Sequence, residues 1–163
     1  DGNAWFVKDI KIVANADEEM AALDVIDPKQ TAVVDQRFAA QVEGFTPQAD
    51  STATIQLQSY RPNKLVYQSK AATDQLAVFS EIYYQPGWKA TVDGKPVDHL
   101  RVDWILRAMR VPAGEHEIVF EFKPEGYIIA ANVEAYSSFL ILVLLIVAVG
   151  YSLYTSYKKT KEE

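Results

Sequence analysis

The residues from 137 to 157 contain no charged side chain, and this segment restricts the fold more than any other feature. Its 21 residues would form a helix of about 31 Å, close to the ~30 Å hydrocarbon core of a bilayer. Ten of the eleven residues from Phe139 to Val149 are Phe, Leu, Ile or Val. Because buried helices of soluble proteins rarely run so far without a polar face, we predict a C-terminal transmembrane helix within residues 126–163.

Tyrosines flank the apolar segment, at the positions where amphipathic rings meet the two membrane interfaces. Lysines follow it, and the positive-inside rule therefore places that end in the cytoplasm. The preceding residues, 1–136, hold 13 basic and 20 acidic side chains and form an acidic body that we expect outside the cytoplasm. The predicted membrane-interface residues are Tyr127, Tyr136, Tyr151, Tyr154, Tyr157, Lys158 and Lys159.

Composition excludes several classes of protein. The chain has no cysteine, which rules out disulfide scaffolds, cysteine nucleophiles and thiolate metal sites. A formal charge of −6 argues against a nucleic-acid partner. No signal-peptide pattern precedes the body, which begins at Asp1. We therefore expect either a signal sequence that has been removed or a longer membrane protein of which this chain is the last part.

Residues 1–50 have a mixed pattern that predicts a short α/β segment packed on the following domain. Asn15, followed three residues later by Glu18, is typical of a helix start. In that helix, Met20 and Leu23 would be the inward positions. The predicted elements are a strand over 4–14, a helix ending near Asp27-Pro28 and a strand over 31–35.

Residues 51–125 change to a period of two, the pattern of half-buried strands. Trp88, Ala90 and Val92, for example, alternate with polar neighbours. Asp93-Gly94 is the strongest hairpin signal, because a two-residue type I′ turn needs positive φ at both central residues. About seven strands separated by turn signals predict an antiparallel β-sandwich or jelly roll, so that the chain is mainly β.

Aromatic residues near the hairpin are candidates for binding a ligand. Tyr83 and Tyr84 are adjacent, so we expect them on opposite faces of a strand with one exposed. An exposed tyrosine could stack on a sugar ring while Asp93 or the neighbouring lysine bonds its hydroxyls. The competing interpretation is sheet packing around Trp88, which shares a face with apolar residues and which we expect in the core. The candidate ligand-binding residues are Tyr83, Tyr84, Trp88 and Asp93.

The sequence predicts no catalytic residue, no metal site and no cofactor. His99 and His116 are 17 positions apart, and a metal would need three or four convergent ligands. A hydrolase with paired carboxylates stays open from spacing alone. Trp104 is expected in the core. Arg107 and Arg110 flank the same predicted strand, and solvated edge charges are favoured over contacts with anionic lipid or polymer.

Four runs of residues carry a resemblance to a known family. YYQPGWKATVDGK at 83–95 and LRAMRVPAGEH at 106–116 resemble the signature of the bacterial YfhO-type membrane proteins. NAWFV at 3–7 and DEEM at 17–20 are similar to the start of the last extracytoplasmic region of that family. The resemblance covers nearly the whole chain. Gln85 departs from it by widening the spacing between the tyrosines and the Pro-Gly-Trp run.

The resemblance implies a function for the whole protein. Such proteins are large membrane proteins resembling the GT-C-like glycosyltransferases, which use lipid-linked sugar donors, and their catalytic carboxylates lie in early loops that this chain does not contain. For this chain, the resemblance implies a non-catalytic accessory domain in the bacterial cell membrane, with residues 1–125 extracytoplasmic and the C-terminus cytoplasmic. The implied partners are the lipid bilayer, the remaining transmembrane part of the polypeptide and a glycan or envelope polymer. The alternative is a single-pass surface module that binds glycan or protein.

Overall fold

The computed structural model describes the backbone of residues 2–162, and their side chains except at 125, 127, 128, 131, 132 and 152–162. Two compact units divide the chain, the first ending at Lys123 and the second beginning at Pro124. The elements are β1 Ala4–Val7, β2 Asp9–Val13, α1 Ala16–Leu23, β3 Thr31–Asp35, a 3-10 helix Gln36–Gln41, β4 Thr54–Arg61, β5 Lys64–Ala71, β6 Gln75–Ile82, β7 Trp88–Val92, β8 Lys95–Val97, β9 Leu100–Val102, β10 Leu106–Val111, β11 Gly114–Phe122 and α2 Glu125–Glu162.

The first unit contains two antiparallel sheets, with strand orders β1-β6-β10-β9 and β4-β5-β11-β7-β8. Inward side chains of both sheets form one core, in which Tyr67, Phe79 and Phe120 pack edge to face. The predicted mainly antiparallel β fold is therefore confirmed, with eight strands between Thr54 and Phe122 where the sequence predicted about seven.

The hairpin between β7 and β8 confirms the strongest turn signal. Asp93 and Gly94 have φ values of 50° and 76°, as a type I′ turn requires. Val92 and Lys95 are the flanking paired residues. Within β7, Ala90 and Val92 are buried and Trp88 is half-buried against the same core, which agrees with the face predicted for this strand.

The strand predicted over 4–14 is wrong in one respect, because the chain breaks at Lys8 into two strands of different sheets. β1 pairs antiparallel with β6, whereas β2 pairs parallel with β3. The N–H groups of Lys8 and Asp9 both donate to the carbonyl of Gln30, at 2.7 and 3.1 Å, and this bond pattern redirects the chain. β2, α1 and β3 form a parallel βαβ unit.

Helix α1 begins as predicted, and Leu23 is half-buried against Val13 and Val33, but Met20 does not point inward. Asn15 accepts a hydrogen bond from the Glu18 N–H at 3.0 Å, and the helix ends at Leu23, before the predicted end. Met20, predicted to point inward, is 47% exposed, whereas Glu19 and Ala22 are buried. The prediction failed because a carboxylate with ionic partners can replace an apolar side chain on the inner face.

The second unit is the long helix α2. Its segment Val133–Tyr151 has a mean hydropathy of 2.3, and none of it is buried within the molecule. Among the residues that the structure describes, this is the one helix long and apolar enough to cross a membrane. Of the predicted interface residues, Tyr136 and Tyr151 are exposed. The side chains of Tyr127, Tyr154, Tyr157, Lys158 and Lys159 lie outside the described residues.

Candidate functional site: a groove beside Trp88

A groove of about 480 Å³ runs along the edge of the five-stranded sheet. The loop before β7 supplies one wall, and β8 with the turn into β9 supplies the other. Its volume falls within the range of small-ligand sites, about 300 to 1,000 Å³. The residues that give the groove its chemistry are Gln85, Trp88, Thr91, Pro96, Asp98 and His99.

Trp88 is held rigidly in the groove wall. It is the cross-strand partner of Phe122, whose ring centroid lies 5.4 Å from that of Trp88. The guanidinium carbon of Arg107 lies 4.2 Å from the centre of the indole ring, a cation–π contact. A Cβ added to Gly87 would come within 2.1 Å of the Phe122 ring, so glycine at this turn is what allows the loop to pack so closely.

Arg107 was predicted to be a solvated edge charge, and this prediction is wrong. The side chain is 2% exposed, its Nε donates to the Ile82 carbonyl at 2.9 Å, and it stacks on Trp88 and Phe120. Burial lowers the pKa of Arg107. A register shift at the start of β10, next to Arg107, is the irregularity that period-two patterning could not detect. Arg110 is exposed and covers the ring of Phe45, at 4.4 Å.

His99 lies at the floor of the groove as a neutral imidazole. It is 7% exposed and contacts the rings of Tyr83 and Phe120, with centroid distances of 5.3 and 5.7 Å. Burial, with a smaller contribution from the positive Arg107, lowers the pKa of His99 to about 4. No side chain or backbone group in the described part of the chain hydrogen-bonds to its Nε2.

His116 occupies a different part of the sandwich, at the hairpin tip. Its Nδ1 lies 2.6 Å from the Asp93 carboxylate, and this contact raises the pKa of His116 and lowers that of Asp93. The second Asp93 oxygen accepts the Glu117 N–H. Within the described residues, no three or more His, Asp or Glu side chains converge as metal ligands would.

The four candidate ligand residues do not form one cluster. Trp88 lines the groove, and Tyr83 packs behind it against Phe38 and His99. Tyr84 is the exposed member of the tyrosine pair, at 54%, and stands near Phe122 outside the groove lining. Asp93 lies at the far end of β7 and is engaged by His116 and Glu117, as described above.

Sequence reasoning missed the polar groups of the groove. Gln85 was noted only as an irregular spacing, yet it lies in the turn that builds the wall. Asp98 and His99 lie in the short connection from β8 to β9, where period-two patterning gives no signal. A Pro-Gly turn immediately before a tryptophan was the one local feature that could have indicated this groove.

A β-sandwich followed by an apolar helix of bilayer length defines a membrane-anchored β-sandwich protein. A family model described as Bacterial membrane protein YfhO matches residues 33–134, more than half of the chain. The chain therefore belongs to the YfhO family of bacterial membrane proteins, and the resemblance carried by the runs at 83–95 and 106–116, which lie inside the matched residues, is confirmed. No curated protein and no solved structure matches the chain.

Proposed function

We propose that the sandwich is a non-catalytic, extracytoplasmic accessory domain of a polytopic, GT-C-like glycosyltransferase of the bacterial cell envelope. In this proposal the groove beside Trp88 holds part of a glycan acceptor. The observation that carries it is the composition of the groove, in which the indole of Trp88 stands beside the amide of Gln85 and the carboxylate of Asp98. An aromatic wall with a few polar groups suits a sugar, which presents apolar faces and hydroxyl edges.

The chemistry of the groove favours binding over catalysis. Glycoside hydrolysis ordinarily needs two carboxylates on either side of the bond. Among the described groove residues, Asp98 is the one carboxylate. The nearby His99 has a pKa of about 4, and its buried ring is a poor general base near neutral pH. These features support the positioning of an acceptor, with bond formation elsewhere in the protein.

The groove is tested by replacing its polar groups while keeping the core intact. With the full chain carrying Trp5→Phe and Trp104→Phe in lipid nanodiscs, so that Trp88 is the one tryptophan of these 163 residues, we expect a tetramer of N-acetylglucosamine to bind and to change the tryptophan fluorescence. Asp98→Ala should weaken binding about tenfold, because hydrogen bonds to a charged group are lost. Gln85→Ala should weaken it less, and Gln58→Ala, on an exposed strand position outside the groove, should not change it. Absence of binding, or equal affinity in all three variants, contradicts the glycan groove.

The orientation is a separate prediction, which rests on the basic C-terminal tail. Residues 1–163 contain no cysteine, so Ala113→Cys adds one thiol at an exposed position, and the unsubstituted full-length protein gives the background labelling. We expect a membrane-impermeant maleimide to label it in intact bacteria expressing the native full-length protein. Labelling only after lysis would reverse the orientation. Several apolar segments in the upstream coding sequence support a polytopic protein, whereas a lone signal sequence supports a single-pass module.

A further inference from the structure

The end of the sandwich at which Lys123 leaves it carries exposed apolar side chains. Ile82 is 65% exposed, Tyr84 54% and Ile105 47%. Large apolar residues exposed together on an otherwise polar domain mark an interaction surface. These three residues and the basic residues Arg61 and Lys64 are here named the exit surface.

Backbone contacts place the apolar members of the exit surface side by side. Ile82 is the cross-strand partner of Leu106, the residue that follows Ile105. The Tyr83 N–H donates to the Ile105 carbonyl at 2.7 Å, so the two segments run together past the strand ends. The Tyr84 ring lies 6.5 Å from that of Phe122, the last residue of β11. The patch is therefore continuous with the point where the chain leaves the sandwich.

The basic members lie at the same end. Arg61 and Lys64 face each other across the β4–β5 hairpin, and the carbonyl of Asn63 in its turn accepts the Phe122 N–H at 2.9 Å. The strand ends and loops at this end carry charged residues of both signs. The cations are Arg61, Lys64, Lys89 and Lys123, and the anions are Glu81, Glu121 and the buried Asp103. Glu125 follows directly at the start of α2, and Lys123 pairs with Glu121 at 2.8 Å, so cations and anions balance at this end as a whole. Arg61 and Lys64 are both exposed beside the apolar side chains.

The opposite end of the sandwich carries charged side chains of both signs. β11 is nine residues long, so its two ends lie about 27 Å apart. At the far end, Asp93, Glu115 and Glu117 gather around the hairpin tip and the start of β11. Lys70 and Lys95 lie there as well, and Lys70 pairs with Glu115 at 2.6 Å. The exposed apolar side chains of Ile82, Tyr84 and Ile105 lie at the other end, the one nearest in sequence to the membrane helix.

The covalent connection keeps the exit surface near the bilayer. Only Lys123 and Pro124 separate the last strand from α2, a reach of about 11 Å at most between Phe122 and Glu125. The apolar span begins at Val133, eight residues into the helix and about 12 Å along it. A surface tethered at this distance has a high effective concentration at the headgroup layer. Weak contacts are therefore sufficient to hold it on the lipid.

We propose that the exit surface docks on the headgroup region of the bilayer, with Ile82, Tyr84 and Ile105 inserted and with Arg61 and Lys64 on anionic phosphates. Aromatic and aliphatic side chains insert at this depth, and each lysine or arginine near an anionic surface adds attraction. This inference is independent of what the groove binds.

The surface is tested with an environment-sensitive dye on single cysteines in the full chain. The dye is placed at Ile82→Cys on the exit surface and, as control, at Ala113→Cys at the far end. Bilayers of phosphatidylcholine, with or without phosphatidylglycerol, carry lipids brominated near the headgroup. We expect quenching at position 82 only, and stronger quenching when phosphatidylglycerol is present. Equal quenching at both positions overturns the proposal, and so does quenching at neither.

Charge reversal tests the electrostatic part. Arg61→Glu and Lys64→Glu should each lower the ratio of docked to undocked domains about thirtyfold in phosphatidylglycerol bilayers, because the lost cation and the new carboxylate each change it about fivefold. Lys95→Glu, an exposed position at the far hairpin, is the matched control and should change nothing. Unchanged quenching in the first two variants overturns the role of anionic lipid. If the dye at position 82 is equally shielded in detergent and in bilayers, a protein partner covers this position. That result overturns docking on lipid.

Discussion

Glu19→Ala is expected to lower the free energy of unfolding of the sandwich by about 3 to 5 kcal/mol, as removal of one partner of a buried ion pair does. The Glu19 side chain is fully buried. Its carboxylate accepts from Arg101 Nη2 at 2.6 Å and from the Trp104 N–H at 2.9 Å. Without Glu19, the carboxylate that remains next to the Arg101 guanidinium is that of Asp35, at 3.6 Å. Urea unfolding of the full chain in nanodiscs, followed by tryptophan fluorescence, measures the change.

Two further variants separate the ion pair from the helix. Asp17→Ala lies on the exposed face of the same helix and should leave the urea midpoint nearly unchanged. Adding Arg101→Met to Glu19→Ala should restore part of the lost stability, because no uncompensated buried charge then remains. If Glu19→Ala unfolds at the same urea concentration as Asp17→Ala, the ion pair does not stabilise the sandwich.

The large effect expected for Glu19→Ala has a structural reason. Glu19 holds the turn at Asp103 and Trp104. Asp103 and Trp104 both have positive φ, 50° and 71°, a conformation that costs energy for residues other than glycine. Asp103 also joins β3 to this turn, since its carboxylate accepts the Val33 N–H at 2.8 Å and its own N–H donates to the Val33 carbonyl. Burial raises the pKa of Asp103 to about 6. Glu19 and Asp103 thus attach the βαβ unit to the sandwich.

Phe120→Ala should cost a similar 3 to 5 kcal/mol, because it leaves a cavity at the centre of the sandwich core. Phe120 is fully buried and meets Phe79 edge to face, with a centroid distance of 4.8 Å. It also supports His99 and Arg107, which form the floor and back of the groove. We therefore expect lower thermal stability together with altered tryptophan fluorescence in the native state, both measurable in nanodiscs.

The neighbouring residue provides the control for this prediction. Val119 lies on the same strand with its side chain on the opposite face of the sheet, where it is half-buried. Val119→Ala should therefore cost much less than Phe120→Ala. Phe120→Leu, which refills most of the cavity, should recover part of the stability. Equal losses in Val119→Ala and Phe120→Ala would contradict the assignment of the core to this face.

Some of the fold could be predicted because the pattern was local. The type I′ hairpin at Asp93-Gly94 depends on two adjacent φ angles, and the helix start at Asn15 on one hydrogen bond to Glu18. Strand β6 was harder to predict from the sequence. Its residues Gln75–Phe79 are all buried, so polar and apolar side chains do not alternate along it. Its sheet is covered on both faces, by the opposite sheet and by the βαβ unit.

The candidate site was predicted less well than the fold. Trp88 was named as a candidate with the other aromatic residues near the hairpin, while the strand face that it shares with Ala90 and Val92 favoured a core role. The other groove residues come together only when the loop before β7 meets the β8–β9 connection. Arg107 was misplaced and the burial of Glu19 was not predicted, because charged side chains are rarely buried and a single sequence does not show which distant partner compensates them.

The sequence by itself determined the family, the membrane helix and the mainly β class. Each of these rests on residues close in the chain: an uncharged stretch from 137 to 157, local turn residues and contiguous motifs. Only the tertiary structure decided that Arg107 is a core residue, that Glu19 anchors α1 and that the groove forms beside Trp88. These depend on contacts such as Glu19 with Arg101, 82 residues apart, which local periodicity cannot encode.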